Sequence, residues 1–209
     1  MPATESETRL RKTQSERRQQ SERSLLQAAA ELIAEGGVNA ATFEAVGARA
    51  GYSRGLATQK FGSKQGMIEA LVGYLRQRSD ELIVESAVDA LPGLDAVVFY
   101  VDGYITHLQH NAELRAYFVL LSGAVADHSG AGSVFADTHR WFERRMETMI
   151  RRGQDSGSIR SDLDANAAAL MIGSLLLGIS TQTQVDPSMD LEPIRRTIRT
   201  TIESAFSAP

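Results

Sequence analysis

The residues best suited to chemistry in this sequence fall within seven consecutive positions: Arg54, Gly55, Thr58, Gln59 and Lys60. Ala57 and Phe61 stand four apart and can face inward together, which leaves the polar residues on the outward rows of a short helix. Arginine, glutamine and threonine hydrogen-bond to base edges, lysine neutralises phosphate, and glycine lets a backbone approach closely. The pattern predicts a helix that enters the major groove of DNA.

The residues before this helix predict a second helix and a tight turn. Thr42 is a favourable N-cap, and apolar residues then recur on one helical face up to Ala50. Gly51 can take the left-handed conformation that a sharp turn requires, and Ser53 can cap the next helix. A turn of about three residues between two short helices is typical of a DNA-binding helix-turn-helix.

A second hydroxyl and a lysine begin the helix that follows. Ser63 is a favourable cap, and Lys64 stands in the first turn, where a cation opposes the helix macrodipole. A nearby phosphate would explain a lysine at this place. We therefore expect Thr42, Ser53 and Lys64 to contact the DNA backbone on either side of the groove.

The elements that position these residues are predicted to be helices throughout. A supporting helix is expected over residues 15–35 and a long one from Ser63 to about Val88, crossing into the rest of the chain. Glycine- and proline-containing breaks separate five further helices. Their predicted ranges are 94–109, 112–126, 134–153, 165–183 and 191–206. No strand-like alternation of useful length occurs, so the expected fold class is all-α.

With these motifs in view, residues 18–75 resemble the DNA-binding domain of TetR-type transcriptional regulators. The shared order is a helix, a Thr-initiated helix, a Gly-x-Ser turn, a recognition helix ending in Phe, and a Ser-Lys start of the next helix. Two residues depart from the family: Thr58 replaces a usual aromatic, and Gly47 replaces a usual alanine. The resemblance implies an all-helical homodimer that represses transcription and releases DNA when a small molecule binds its C-terminal domain.

Three segments follow from this interpretation: a mobile tail over residues 1–14, an N-terminal three-helix DNA-binding domain over 15–64, and a larger helical ligand-binding and dimerisation domain over 65–209.

The charged residues are distributed unevenly between the first 64 residues and the rest of the chain. Residues 1–64 hold ten Lys+Arg against seven Asp+Glu, and residues 65–209 hold twelve against nineteen, giving +3 and −7 and the overall −4. A basic region on an acidic body suffices for phosphate attraction at short range.

Composition and missing motifs exclude other classes. The chain has no cysteine, which removes disulfides and thiolate catalysis. No nucleophile elbow, phosphate loop or zinc-protease motif occurs, so we expect no enzyme and no cofactor. His107 and His110 stand three apart with Asp102 and Glu113 nearby, but nothing else supports a metal site. A polar N-terminus and apolar runs too short to span a bilayer predict a cytoplasmic protein without membrane contact.

Aromatic residues in the body predict a small-molecule pocket. Tyr100, Tyr104 and His107 recur at i, i+4 and i+7 and form the best candidate set for a hydrophobic effector. Three further residues complete the predicted effector site: Phe118, His139 and Trp141. The alternative is that aromatics at helical spacing simply fill a core.

The last two helices are the best candidates for a dimer interface. Small residues at Ala167, Gly173 and Gly178 permit close packing, and apolar residues form a stripe from Ile194 to Phe206. Burial within one subunit would produce the same pattern.

Two other classes of function stay open from the sequence. One is a ligand-independent dimeric DNA-organising protein, which predicts a solid core without a cavity. The other is a helical enzyme or carrier that keeps the hairpin as a scaffold; DNA binding that weakens steeply with salt would exclude it.

Overall fold

The computed structural model describes residues 13–84, 88–127 and 132–208. In these ranges the chain forms nine α-helices and no regular strand, which confirms the all-α prediction. The helices are α1 (Gln14–Gly36), α2 (Phe43–Ala50), α3 (Arg54–Phe61), α4 (Lys64–Val84), α5 (Gly93–His110), α6 (Ala112–Asp127), α7 (Gly132–Asp155), α8 (Ala165–Val185) and α9 (Glu192–Phe206). Short 3-10 turns occupy Val38–Ala40 and Val88–Ala90. Most of the predicted tail lies outside the described residues.

Side-chain caps explain where several helices begin. Thr13 and Glu16 form a capping box at the start of α1, in which the Thr13 N–H donates to Glu16 Oε2 at 2.6 Å. Thr42 and Ser53 cap α2 and α3, and Asp164 accepts from two N–H groups at the start of α8. Thr42 and Ser53 are the caps that the sequence predicts. Thr13 and Gln14 were assigned to the tail, and that assignment was wrong, because the Thr13 capping box begins α1 at Gln14.

The first four helices share a small core. Leu25 and Ile33 of α1, Val46 of α2, Ala57 of α3 and Leu71 of α4 are all fully buried. An ion pair at the surface adds to this packing, because Arg49 of α2 reaches Glu35 of α1 at 2.9 Å. The core and this pair fix α2 and α3 against α1.

The body is built around α5, which contacts α7, α8 and α9. A Cβ on Gly93 would lie 2.1 Å from Gly153, so α5 begins where its backbone nearly touches α7. Ile198, Ile202 and Phe206 of α9 are buried within the subunit. Of the apolar stripe predicted for dimerisation on α9, these three residues therefore belong to the core.

The outer face of α8 is apolar but exposed. Leu170, Met171 and Val185 are 53%, 51% and 79% exposed, while Ile172 and Leu176 on the opposite face are buried. Within the described residues α8 is also the one helix long and apolar enough to cross a membrane, a property that the core helix of a soluble protein shares. The apolar run from Ala167 to Ile179 is shorter than the helix, which continues through polar residues to Val185.

Candidate DNA interface and effector pocket

The turn between α2 and α3 has the geometry that the sequence predicts. Gly51 has φ 75° and ψ 26° in the left-handed region, and the Tyr52 N–H donates to Gly47 O at 2.8 Å. Gly47 itself lies against the turn, because a Cβ there would be 3.0 Å from Tyr52 O. The glycine that departs from the family pattern therefore lies where α2 meets the backbone of the turn.

Three hydroxyl caps stand at the starts of α2, α3 and α4. Thr42 Oγ1 accepts from Ala45 N at 3.1 Å, and Ser53 Oγ accepts from Leu56 N at 3.2 Å. Both side chains are exposed, and the cap uses only an oxygen lone pair, so each O–H can still donate to a phosphate. At the start of α4, Ser63 Oγ accepts from Gly66 N at 3.0 Å.

Lys64 is exposed beside the Ser63 cap. Its Nζ lies 3.4 Å from Asn39 Oδ1, a long contact that a phosphate can readily replace. The three expected phosphate contacts, Thr42, Ser53 and Lys64, are thus all accessible.

The outer surface of α3 carries most of the predicted base-reading residues. Arg54, Gly55, Thr58 and Gln59 are exposed, while Ala57 is fully buried against the other helices. Thr58 Oγ1 donates to Arg54 O at 3.1 Å, so its hydroxyl now bonds to its own helix. A Cβ on Gly55 would meet only Ser53 Oγ, at 3.7 Å. Packing therefore does not require glycine at position 55.

Lys60 is the exception, and the prediction that it points outward was wrong. Its side chain is 9% exposed, and its ammonium bonds to Glu22 Oε2 at 3.1 Å and Arg18 O at 2.9 Å. Lys60 lies near the C-terminal end of α3, next to α1, so the nearest anions are those of the protein itself. Its first role is to hold α3 on α1.

The body contains a partly open cavity of about 170 Å³ lined by α5, α6, α7 and α8. Five predicted effector residues line it: Tyr100, Tyr104, Phe118, His139 and Trp141. The remaining lining residues, which the sequence prediction missed, are Leu114, Tyr117, Thr138, Phe142, Glu143, Leu170, Gly173, Ser174, Leu176 and Leu177. A cavity in this place contradicts the solid core that a purely structural body predicts.

His107 does not belong to this cavity, and grouping it with the two tyrosines was wrong. It is exposed, its Nδ1 lies 2.7 Å from Gly103 O, and it lines a separate polar groove with Glu31 and Glu113. Seven residues advance a helix by about 10 Å, so a side chain on the same face can lie well beyond the end of a small pocket.

Aromatic contacts form the cavity wall. Tyr117 packs edge-on against Phe118 with ring centroids 5.2 Å apart, and Tyr104 packs edge-on against Phe118 at 6.4 Å. Tyr100 and Phe142 are 5.7 Å apart. Interlocking edge-to-face pairs give a rigid wall because each ring fixes the orientation of the next.

The polar groups of the cavity are mostly neutral. Burial lowers the pKa of His139, while the charge of Glu143 opposes that effect, so the imidazole is uncharged at neutral pH. No lysine or arginine lines the cavity within the described residues. The site is therefore suited to an apolar molecule rather than to an anion.

No group of three potential metal ligands occurs among the described residues. His107 and His110 share the polar groove with Glu31 and Glu113 but do not form such a group.

A helix-turn-helix with an exposed second helix, joined to a helical body with an apolar cavity, defines the class of DNA-binding transcriptional regulators. The family model described as bacterial regulatory proteins of the tetR family matches residues 25–71. A second model, the C-terminal domain of BetI-type transcriptional repressors, matches residues 95–207. The chain belongs to the TetR family, as the order of its motifs indicates.

Solved structures show the same fold. A TetR-family regulator from Rhodococcus sp. has a TM-score of 0.74 at 21% identity, over 90% of this chain and 100% of that one. SmeT, the repressor of a multidrug efflux pump of Stenotrophomonas maltophilia, has a TM-score of 0.69 at 24% identity, over 89% and 90%.

AibR, solved with isovaleryl coenzyme A and operator DNA, has a TM-score of 0.69 at 16% identity, over 89% of this chain and 100% of its own. No curated protein sequence matches the chain.

Proposed function

We propose that the protein is a dimeric repressor that binds a palindromic operator and leaves it when a small apolar molecule enters the cavity of the body. The exposed face of α3, with Arg54, Gly55, Thr58 and Gln59, carries this proposal. These residues project from a helix whose other side is fixed in a buried core. The regulator acts in the cytoplasm and catalyses no reaction.

Phosphate contacts position α3 in the groove. The N-termini of α2, α3 and α4 each carry a capping hydroxyl, and helix N-termini favour anions through free N–H groups and the macrodipole. Thr42, Ser53 and Lys64 bind backbone oxygens, and Arg54 and Gln59 read base edges. Lys60 supports the surface indirectly through Glu22.

Helix α6 connects the cavity to the DNA-binding unit. It contributes Leu114, Tyr117 and Phe118 to the cavity wall, and it packs against both α1 and α4. At its start, Glu113 accepts from the Tyr74 hydroxyl of α4 at 2.6 Å. A ligand that displaces α6 therefore changes the position of α1 and α4, and a coupling of about 1–3 kcal/mol is enough to release DNA.

The exposed face of α8 forms the dimer interface. Leu170, Met171, Ser174 and Gly178 follow the spacing of one helical face, and all four are exposed. Apolar residues with small neighbours permit two such helices to pack closely. One short helix reads few base pairs, whereas a two-fold pair reads two half-sites about 34–36 Å apart or a multiple of that spacing.

The descriptions of two similar structures support the same proposal. AibR was solved with a small molecule and operator DNA together, and SmeT is described as a repressor. The cavity of about 170 Å³ favours ligand response over the alternative of a ligand-independent DNA-organising dimer.

The test is operator binding by gel shift and fluorescence anisotropy, with DNA from the protein's own promoter region. We expect Arg54→Ala to reduce specific affinity by about 30-fold or more, because each subunit of the dimer loses a bidentate base contact worth about 1–3 kcal/mol. Arg151→Ala removes an exposed arginine of α7, 62% exposed, and serves as the matched control with unchanged affinity. Equal binding by the wild type and Arg54→Ala would exclude α3 as the recognition helix.

A further inference from the structure

We propose that a second copy of the chain completes the effector site, because its α8 covers the open side of the cavity. This inference rests on the proposed function and adds that the partner subunit supplies the outer wall of the site. In the dimer, a bound small molecule is then enclosed between the two copies.

Three residues of α8 stand at the edge between the cavity and solvent: Leu170, Ser174 and Leu177. All three line the cavity, and all three are exposed, Leu170 at 53% and Leu177 at 37%. They recur at i, i+4 and i+7, so they form one row along the helix. Gly173 and Leu176 line the cavity from the less exposed side of α8. The cavity is therefore open to solvent along this row.

The outer face of α8 begins at the same row. Met171 and Gly178, each one position after a residue of the row, are exposed and do not line the cavity. Leu170 and Ser174 belong both to the outer face and to the cavity lining. The row from Leu170 to Leu177 is about 10 Å long, and a helix with its side chains is about 10–12 Å wide. One helix that crosses this face therefore covers the whole row.

The composition of α8 favours a second copy as the helix that crosses it. In a two-fold contact the same face meets itself, so charged residues on that face would bring like charges together. The 21 residues of α8, from Ala165 to Val185, include no charged side chain. A Cβ on Gly178 would meet no described atom within 4 Å beyond its chain neighbours and its own helix. Two copies of α8 can therefore approach each other closely at Gly178.

Closure by the second copy would strengthen effector binding. Ligand pockets bury about 70–90% or more of the surface of a drug-sized ligand. In a single subunit, the side of a ligand that faces Ser174 stays in contact with water, because the cavity is open there. In the dimer, an uncharged helix takes the place of that water, and the transfer of apolar ligand surface out of water is favourable.

Thiol labelling tests this closure before any effector is identified. The chain has no cysteine, so each substituted chain carries a single thiol. Ser174→Cys reports on the row, Met171→Cys on the outer face beside it, and Val125→Cys on α6, at a residue 65% exposed, is the control. The rate of reaction with N-ethylmaleimide is measured in the dimer and in the monomer, and analytical ultracentrifugation gives the oligomeric state.

The monomer is obtained in two ways. Gly178→Gln places a side chain between the two copies of α8, and it replaces a glycine by a better helix former, so the subunit itself should fold. Dilution of the single-cysteine chains provides monomer without a further substitution. We expect Ser174→Cys and Met171→Cys to react about tenfold more slowly or less in the dimer, because a covered thiol is not accessible to the reagent. Val125→Cys should react at the same rate in both states.

Protection of Met171→Cys without protection of Ser174→Cys would overturn the proposal, because the second copy would then cover the outer face and leave the cavity open. Equal rates in dimer and monomer for both thiols would also overturn it. So would protection that appears only when phosphatidylcholine vesicles are added, since a lipid surface would then be what covers α8.

These outcomes are separate from the test of DNA binding. If Ser174→Cys is not protected but Arg54→Ala still weakens operator binding, the closed cavity is refuted and the proposed regulator remains. If Ser174→Cys is protected in a chain that binds no operator, the shared site remains and the proposed regulatory function is lost.

Discussion

Gly55 is not required for packing of the protein, but we expect it to be required for tight DNA binding. A Cβ at this position meets only Ser53 Oγ at 3.7 Å, and glycine weakens a helix relative to alanine. We expect Gly55→Ala to raise the free energy of unfolding by up to about 1 kcal/mol, measured by urea denaturation. The same change should weaken operator binding, because the added methyl group keeps the helix from close approach to the groove.

The matched control is a glycine elsewhere on a helix with open space beside it. Apart from its chain neighbours and the backbone of its own helix, no described atom lies within 4 Å of the place that a methyl group on Gly73 of α4 would occupy. Gly73→Ala should therefore stabilise the protein without changing operator affinity. If Gly55→Ala bound DNA as tightly as the wild type, the glycine would have no role in recognition.

Contacts between residues close in sequence could be predicted, whereas contacts between distant residues could not. The caps Thr42 and Ser53 and the turn residue Gly51 were predictable because their partners lie within four residues. The partner of Lys60 is Glu22, 38 positions away, so its orientation depends on how α3 packs on α1. Tyr117 was not predicted as an effector residue for a similar reason: its place on the cavity wall depends on how α6 packs against α7 and α8.

At the scale of elements, Lys60 and Lys64 test which lysine holds helices together and which contacts DNA. Lys60 bonds α3 to α1, and its side chain is 9% exposed. We expect Lys60→Met to lower the free energy of unfolding by about 1 kcal/mol, since Glu22 and Arg18 O lose a charged donor that is partly shielded from water. Thermal and urea unfolding measure this loss.

Lys64→Met is the control for that substitution. Its side chain is exposed and makes one long contact among the described residues, so stability should change little. Operator affinity should fall, and the salt dependence of log K should become shallower by about two units, as expected when each subunit of the proposed dimer loses one phosphate contact. An unchanged salt slope in Lys64→Met would remove it from the interface.

The helices themselves were largely predictable. The predicted body helices 112–126 and 165–183 correspond to Ala112–Asp127 and Ala165–Val185, because alanine- and leucine-rich stretches end at glycine, proline or aspartate breaks. Their neighbours were not predictable. The contact of α6 with α1 joins segments far apart in sequence, and it links the cavity wall to the DNA-binding unit in addition to α4, the long helix that the sequence predicts to cross into the body.

Buried tyrosines predict that the protein is unstable in alkali. Burial raises the pKa of Tyr117 to about 12 and raises the pKa of Tyr104 above its ordinary value. Burial, then the hydrogen bond to Glu113, raises the pKa of Tyr74. Because these folded-state values exceed the unfolded value of about 10, the associated stability is complete below pH ~10 and is lost as the pH rises through the folded values.

We expect the free energy of unfolding to fall by about 1 kcal/mol per pH unit for each fully buried tyrosine above pH ~10. Urea unfolding at increasing pH, followed together with tyrosinate absorbance, measures this. Tyr117→Phe should reduce the slope of the free energy of unfolding against pH by the contribution of one proton, about 1.4 kcal/mol per pH unit. A tyrosinate signal that develops fully while the protein stays folded would contradict the burial of these groups.

Helix α8 contributes residues both to the cavity and to the proposed dimer interface. Ile172 and Ile179 are buried in the subunit, whereas Leu170 and Leu177 line the cavity and are also 53% and 37% exposed. The cavity therefore opens close to the face that a second copy would cover. The proposed dimer interface and the cavity opening both involve α8. A substitution that tests dimerisation alone therefore has to lie on α8 but outside the cavity lining.

Met171 meets that condition, because it is 51% exposed on the outer face and does not line the cavity. We expect Met171→Glu to convert the proposed dimer to a monomer, since each copy would bury a carboxylate in the apolar interface. Operator affinity should then fall by about 100-fold or more, because the second half-site no longer binds as part of the same molecule. Analytical ultracentrifugation and gel shift measure the two effects, and circular dichroism checks that helicity is unchanged.

Val125→Glu introduces the same charge at an exposed apolar residue of α6, 65% exposed, and should leave both the dimer and its operator affinity intact. If Met171→Glu stayed dimeric, the subunits would meet elsewhere, and the spacing of the two α3 helices would have to be set by another pair of surfaces. If it became monomeric and still bound the operator with full affinity, one α3 would suffice for recognition. The palindromic arrangement would then lose its physical basis, because a single helix would supply all of the binding energy.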